Sequence, residues 1–168
     1  MTKMPYQCSV CNEVHHDWPA IAFNSPHYYH ILSQEDKDKL ATLSEDWCII
    51  DYGDQTDRFI RAILRLPVID TDQTLEYGVW VSVSEKNFVH YMDNFNEDIE
   101  GTTFFGYLCN QISEYDNTLS LKTNVVCGSK GQRPEVFPHK DQDNAFVHDC
   151  IYGITQEEAD KRVHVLLN

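Results

Sequence analysis

Two alternating runs set the strongest limit on what this chain can fold into. From Asp57 to Val68, Ile60, Ala62, Leu64 and Leu66 share one face, and Phe59, Arg61, Ile63 and Arg65 share the other. From Leu75 to Ser84, Leu75, Tyr77, Val79, Val81 and Val83 oppose Glu76, Gly78, Trp80 and Ser82. Successive side chains of a strand point to opposite sides, so each run carries one purely apolar face that demands a core. Its second, mixed face must be wet, covered or functional. The polar stretch between them, with Asp70, Asp72 and Gln73, reads as the loop joining two strands.

The remaining pattern places helices around such strands. Ser33 is an N-cap with acidic residues following it in the first turn, which predicts a helix over Gln34–Leu43. Trp47–Ile50 reads as a short buried strand ended by the turn-prone Asp51-Tyr52-Gly53-Asp54. Ser84 caps a second helix, about Glu85 to Phe95, in which Phe88, Tyr91, Met92 and Phe95 recur at helical spacing. Three further strands are expected at Thr102–Leu108, Leu121–Cys127 and Arg133–Phe137. Thr155 and Glu158 form a capping box before a short closing helix. These elements predict an α+β fold, a mainly antiparallel sheet with inserted helices and a zinc-knuckle-like N-terminal segment. At 168 residues one domain is expected, with an irregular Cys/His-rich segment over residues 1–30 packed on a body spanning 31–168.

That segment holds the clearest chemistry. In Cys8-Ser9-Val10-Cys11-Asn12-Glu13-Val14-His15-His16, two thiols at Cys-x-x-Cys spacing can reach one tetrahedral zinc, and His15 is close enough to be a third ligand. The fourth must come from Cys48, at the head of a buried strand, or from His16. A thioredoxin-like redox pair is the other reading, but that motif opens a helix after a strand and this one does not. The zinc so held is expected to be structural.

A succession of short motifs runs through nearly the whole chain: Cys8-x-x-Cys11-x-x-x-His15, Asp46-Trp47-Cys48-Ile49-Ile50, Phe59-Ile60-Arg61, Leu66-Pro67-Val68, Gly78 to Glu85, Gly106-Tyr107-Leu108 and Gly153-Ile154-Thr155. In this succession the chain resembles a bacterial family known only as domain of unknown function 2199. The resemblance implies that Cys8, Cys11, His15 and Cys48 act as a group. It carries no activity. Asn12 stands where a glycine is expected, and asparagine is one of the few other residues that accepts positive φ.

Charge narrows the partners. With 27 acidic against 13 basic residues the formal charge is -14, a field that repels phosphate backbones and anionic membranes. Nucleic acid and membrane are therefore not expected, whereas a basic protein is. No signal-peptide h-region opens the chain and no apolar run approaches the roughly 18 residues that span a bilayer, so a cytoplasmic location is expected. Six cysteines in that setting read as free thiols or metal ligands.

A second candidate site lies on the mixed faces, where Arg61, Arg65 and Trp80, with Ser82, could bind a carboxylate. The competing reading has the arginines paired with the chain's own acids and covering Trp80. His148-Asp149-Cys150 offers nucleophile chemistry only weakly, because sequence neighbours rarely form a dyad. Asp70-Thr71-Asp72 reads as a solvated loop tip, and Cys109 and Cys127 as small core residues. No Gly-x-Ser-x-Gly, P-loop, Gly-x-Gly-x-x-Gly or His-Glu-x-x-His is present. The leading expectation is a non-enzymatic, zinc-stabilised protein with an acidic protein-binding surface. The alternatives are a hydrolase-like metalloenzyme with an open zinc site and Asp17 or Asp51 as base, and a metal-free immunity-like or inhibitor protein.

Overall fold

The structure, a computed structural model, describes residues 6–7, 14–15 and 18–167. The two alternating runs form long paired strands, β6 (Thr56–Pro67) and β7 (Thr74–Val83), in antiparallel register from Arg58 opposite Val83 to Pro67 opposite Thr74. The free edge of each is shared between two partners. Along β6, the first half pairs with β5 (Trp47–Asp51), itself flanked by β4 (Ala41–Leu43), and Ile63 then pairs with Glu135 of β10 (Glu135–Pro138). Along β7, Tyr77 and Gly78 pair with β3 (Ile21–Ala22), and Val81 and Ser82 pair with β8 (Thr103–Leu108). Strand β9 (Lys122–Val126) joins β8 to β10.

The circuit β6–β7–β8–β9–β10–β6 is thereby a closed barrel, with the parallel β10–β6 pairing as its seam. Every other pairing in the circuit is antiparallel. Closure removes the exposed edges that an open sheet would present. The interior is filled by the apolar faces read from the sequence: Ile60, Ala62, Leu64, Leu66, Leu75, Tyr77, Val79 and Val81, joined by Phe104, Leu108, Val125 and Val136. Helix α3 (Glu85–Asp93) adds Phe88 and Tyr91 to this core, α4 (Ala145–Tyr152) adds Phe146 and Val147, and α5 (Gln156–Leu167) adds Ala159 and Val163.

A second, smaller core lies outside the barrel wall. Cys48, Ile50, Phe59, Trp80 and Cys109 are buried there beneath Phe23 and the helices α1 (His27–His30) and α2 (Gln34–Leu40). Strands β1 (Tyr6–Gln7) and β2 (Val14–His15) form a separate antiparallel pair.

Several expectations are sharpened. Ser33, Ser84 and Thr155 each accept a backbone N–H at the start of their helices, from Asp36, Asn87 and Glu158. Helix α2 ends at Leu40 instead of Leu43, because Ala41–Leu43 leave the helix to pair with β5. The stretch expected to be irregular supplies β3 and α1, both of which join the body: Phe23 N donates to Gly78 O and His27 N to Cys109 O. Helix α4 was not anticipated; its signal is Asn144, whose side-chain oxygen accepts from the N–H groups of Phe146 and Val147.

Gly153 is the tightest backbone junction. Its φ is +88°, and a Cβ there would stand 2.8 Å from Pro67 O, while Ile154 N donates to that same oxygen. Gly131 also has positive φ, +74°, but nothing within 4 Å of where a Cβ would stand. Gly153→Ala is therefore expected to destabilise by about 2–4 kcal/mol and Gly131→Ala by only about 1 kcal/mol, as read by urea unfolding. Equal losses would contradict the backbone contact.

Candidate binding face

Most of the expected metal cluster lies outside the described residues: Cys8, Cys11 and His16 are not among them, and His15 is placed only as the strand partner of Tyr6. Cys48 is fully enclosed on β5, within the small outer core. Burial pushes its thiol up from 9.0 to about 12. Among the described residues no three His, Cys, Asp or Glu side chains are grouped to hold a metal ion.

The arginine and indole candidates do meet. Arg61 lies opposite Trp80 across β6 and β7, its guanidinium carbon 5.6 Å from the ring centroid. Trp80 is 0% exposed, and its indole N–H donates to Phe23 O at 2.9 Å, so it is a floor under Arg61 and not a contact surface. Arg65 is clamped between two carboxylates, Glu135 at 3.0 Å and Glu76 at 3.2 Å, and these raise its pKa further. Arg61 has weaker support: Nη1 donates to Glu45 O, while Nε is buried with no hydrogen-bond partner among the described residues. Burial, and then the neighbouring Arg133, lower its pKa. Arg133 in turn is held by Asp46 at 2.9 Å and faces Glu45 at 3.7 Å. A cleft of about 660 Å³ opens beside the barrel seam, where Arg65 and Arg133 face Glu100 and Glu135 and Phe137 forms an apolar wall.

From that cleft the outer wall continues along β8, β9 and β10. Strand register sets its pattern: Phe105 lies opposite Asn124, and Asn124 opposite Phe137, while Tyr107 lies opposite Lys122 in the next row. Phe105, Tyr107 and Phe137 are 39%, 43% and 47% exposed. The rings are nonetheless held in place. Phe105 meets Tyr107 edge-on at 4.8 Å and His139 at 5.6 Å, and His139 Nε2 is 2.8 Å from Asn124 Oδ1. Aromatic side chains fixed on a sheet and left in water are characteristic of contact surfaces. The sequence-based reading missed them because Phe105 and Tyr107 could equally have faced the core.

A model of a family described as an uncharacterized protein conserved in bacteria, DUF2199, matches residues 7–154. The chain belongs to the DUF2199 family. No curated protein and no solved structure matches it. The span shared with DUF2199 includes the cysteine and histidine stretch, both long strands and all three exposed rings.

Other polar groups in this DUF2199 chain have local structural work. Arg162, 6% exposed, donates to Glu158 at 2.9 Å, to Tyr77 OH at 3.1 Å and to Tyr115 OH at 3.0 Å, and Tyr115 OH donates to Asp149 at 2.6 Å. Burial lowers the guanidinium pKa, but these hydrogen bonds outweigh it and the net shift is upward. The network ties α5 and α4 to the barrel. Asp149 also faces His148 Nδ1 at 3.4 Å, while burial, and then Asp149, push the Cys150 thiol up to about 12, which works against a thiolate nucleophile. Asp51 accepts from Gly53 N and Thr56 Oγ1, the work of a turn. Asp70, at φ +62°, sits at the β6–β7 loop tip.

Two consequences are measurable. Arg162→Met leaves Glu158 without its buried partner and is expected to cost about 2–4 kcal/mol in urea unfolding; a loss below about 0.5 kcal/mol would mean that the network does not hold α5. The second concerns pH. Cys48 and Cys109 have folded-state pKa values of about 12 and about 11, above the ordinary 9.0. The folded state favours the neutral thiols, so stability is full below pH 9 and is lost as pH rises through 11 to 12. The thermal midpoint should hold from pH 7 to about 9 and then fall, less steeply in Cys48→Ala; an unchanged midpoint at pH 11 would contradict this.

Proposed function

We propose that this chain is a non-enzymatic binding protein that engages a basic protein partner, with its N-terminal segment held by a structural zinc. The observation carrying the reading is the contrast between the two sides of the barrel wall. One side is covered by Phe23, α1 and α2; the other presents Phe105, Tyr107 and Phe137 to water beside a charged cleft. An acidic surface around a fixed aromatic patch suits a partner of opposite charge: the field speeds encounter, and the buried rings slow release. Most arginines at the seam already have acidic partners, which favours recognition through the aromatic patch over capture of an acid by Arg61 and Arg65.

For zinc, Cys8, Cys11 and His15 remain the proposed ligands, and the surroundings of Cys48 favour His16 over it as the fourth. A ligating thiol must give up its proton, and a sulfur packed among Ile50, Phe59 and Trp80 is poorly placed to do so. Elemental analysis after expression in zinc-replete medium is expected to find about one zinc per chain, lost in Cys8→Ser and retained in Cys48→Ala. Equal loss in both variants would restore Cys48 to the ligand set, and absence of zinc from the parent protein would remove the metal altogether.

The binding reading is tested by affinity capture compared between the parent chain and Phe105→Ser/Phe137→Ser. A basic protein retained by the parent and lost by the variant, with the unfolding midpoint unchanged, is the expected result. Capture indifferent to both substitutions would place the interface elsewhere and overturn it.

A further inference from the structure

A smaller cavity, of about 370 Å³, opens at the end of the aromatic wall opposite the arginine cleft. It follows from register. Phe59, Ser82 and Tyr107 lie side by side in one row across β6, β7 and β8. A serine between two aromatic residues leaves a hollow that a larger side chain would fill. From above, Tyr28 of α1 stacks on Phe59 with ring centroids 6.4 Å apart and planes 27° from parallel. Tyr107, braced by Phe105, forms the facing wall.

Asp57, two residues before Phe59 on the same face of β6, supplies the charge. Its Oδ1 accepts from Gln55 Nε2 at 2.7 Å, which orients the carboxylate, and its other oxygen takes no hydrogen bond from a described residue. None of the described residues lining the cavity is a lysine, arginine or histidine. The arginine cleft differs in this respect, since its two guanidinium groups face two carboxylates. A hollow walled by three aromatic rings around one oriented carboxylate suits an organic cation, which gains from ring faces and from the opposite charge together.

We propose that this cavity receives a lysine or arginine side chain of a basic protein partner. The inference rests on the binding-protein reading and names the group that the partner inserts. A side chain, and not a free amine, is favoured by continuity: Tyr107 belongs both to the cavity and to the exposed aromatic row, so a polypeptide lying over Phe105 and Phe137 could direct a cationic side chain past it. The volume is near the low end of the roughly 300–1,000 Å³ of small-ligand pockets, which fits one side chain. Lys122 lies next to Tyr107 in the register, outside the cavity, and disfavours a densely basic segment in favour of one cation among uncharged neighbours.

The test uses the full chain with N-acetyl-arginine methylamide and, separately, choline, followed by titration calorimetry and amide chemical shifts. The arginine probe is expected to bind one to one, shifting the amides of Ser82, Tyr107 and Ser120. Asp57→Asn should weaken it about tenfold or more, and Tyr107→Ala should weaken it severalfold. Asp72→Asn removes the same charge from the distant loop tip and should leave binding unchanged. Equal weakening by Asp57→Asn and Asp72→Asn would reduce the effect to a diffuse field and overturn the site, as would shifts confined to other residues or tighter binding of choline than of the arginine probe. Should Asp57→Asn fail to fold, the exposed Tyr107→Ala still decides: undiminished affinity overturns the proposal. Probe binding needs no partner protein, so its failure is distinct from failure of the capture experiment.

Discussion

The pairing of β6 with β7 is the constraint on which the rest of the molecule depends. These strands are long enough that each outer edge serves two partners in turn, β5 then β10 along β6, and β3 then β8 along β7. One partner of each pair closes the barrel and the other extends the sheet beyond it. Length therefore produces both the closed core and the shelf on which α1 and α2 lie. Shorter strands would force a choice between the two.

The same arrangement divides the outer wall. Over the shelf, the mixed faces of β6 and β7 are covered, so Trp80 and Phe59 become a second core and Cys48 and Cys109 become buried neutral thiols. Past β7, Phe105, Tyr107 and Phe137 are exposed. The proposed cation cavity sits on the boundary, with Phe59 and Tyr28 from the covered side and Tyr107 from the open one. Its floor follows from the register of Phe59, Ser82 and Tyr107 across β6, β7 and β8.

Much of this was legible in the sequence, for physical reasons. The period-two alternation of β6 and β7 and the serine and threonine caps are local signals, and they placed elements to within a few residues. Pairing across long separations was not legible. The parallel contact of Ile63 with Glu135 joins segments whose own patterns say nothing of each other, so an open sheet was as compatible with the sequence as a barrel. Tertiary pairing also overrode helix propensity at Ala41–Leu43. The mixed faces were correctly seen to need an explanation, and Arg61 and Trp80 do meet, but the cover over Trp80 comes from a proline- and aromatic-rich stretch with no periodicity to announce it. Ser82 was noticed as a polar neighbour of Trp80; its role as the gap between two rings required the β7–β8 register.

The division of the wall into covered and open sides presupposes that the barrel is closed at the β10–β6 seam. Residue-resolved amide hydrogen exchange tests this directly at Ile63, whose N–H donates to Pro134 O at 2.9 Å. In a closed barrel the Ile63 amide exchanges as slowly as amides deep in the β6–β7 ladder. Exchange at the rate of an unpaired strand edge would mean that the seam is open, and would contradict the account.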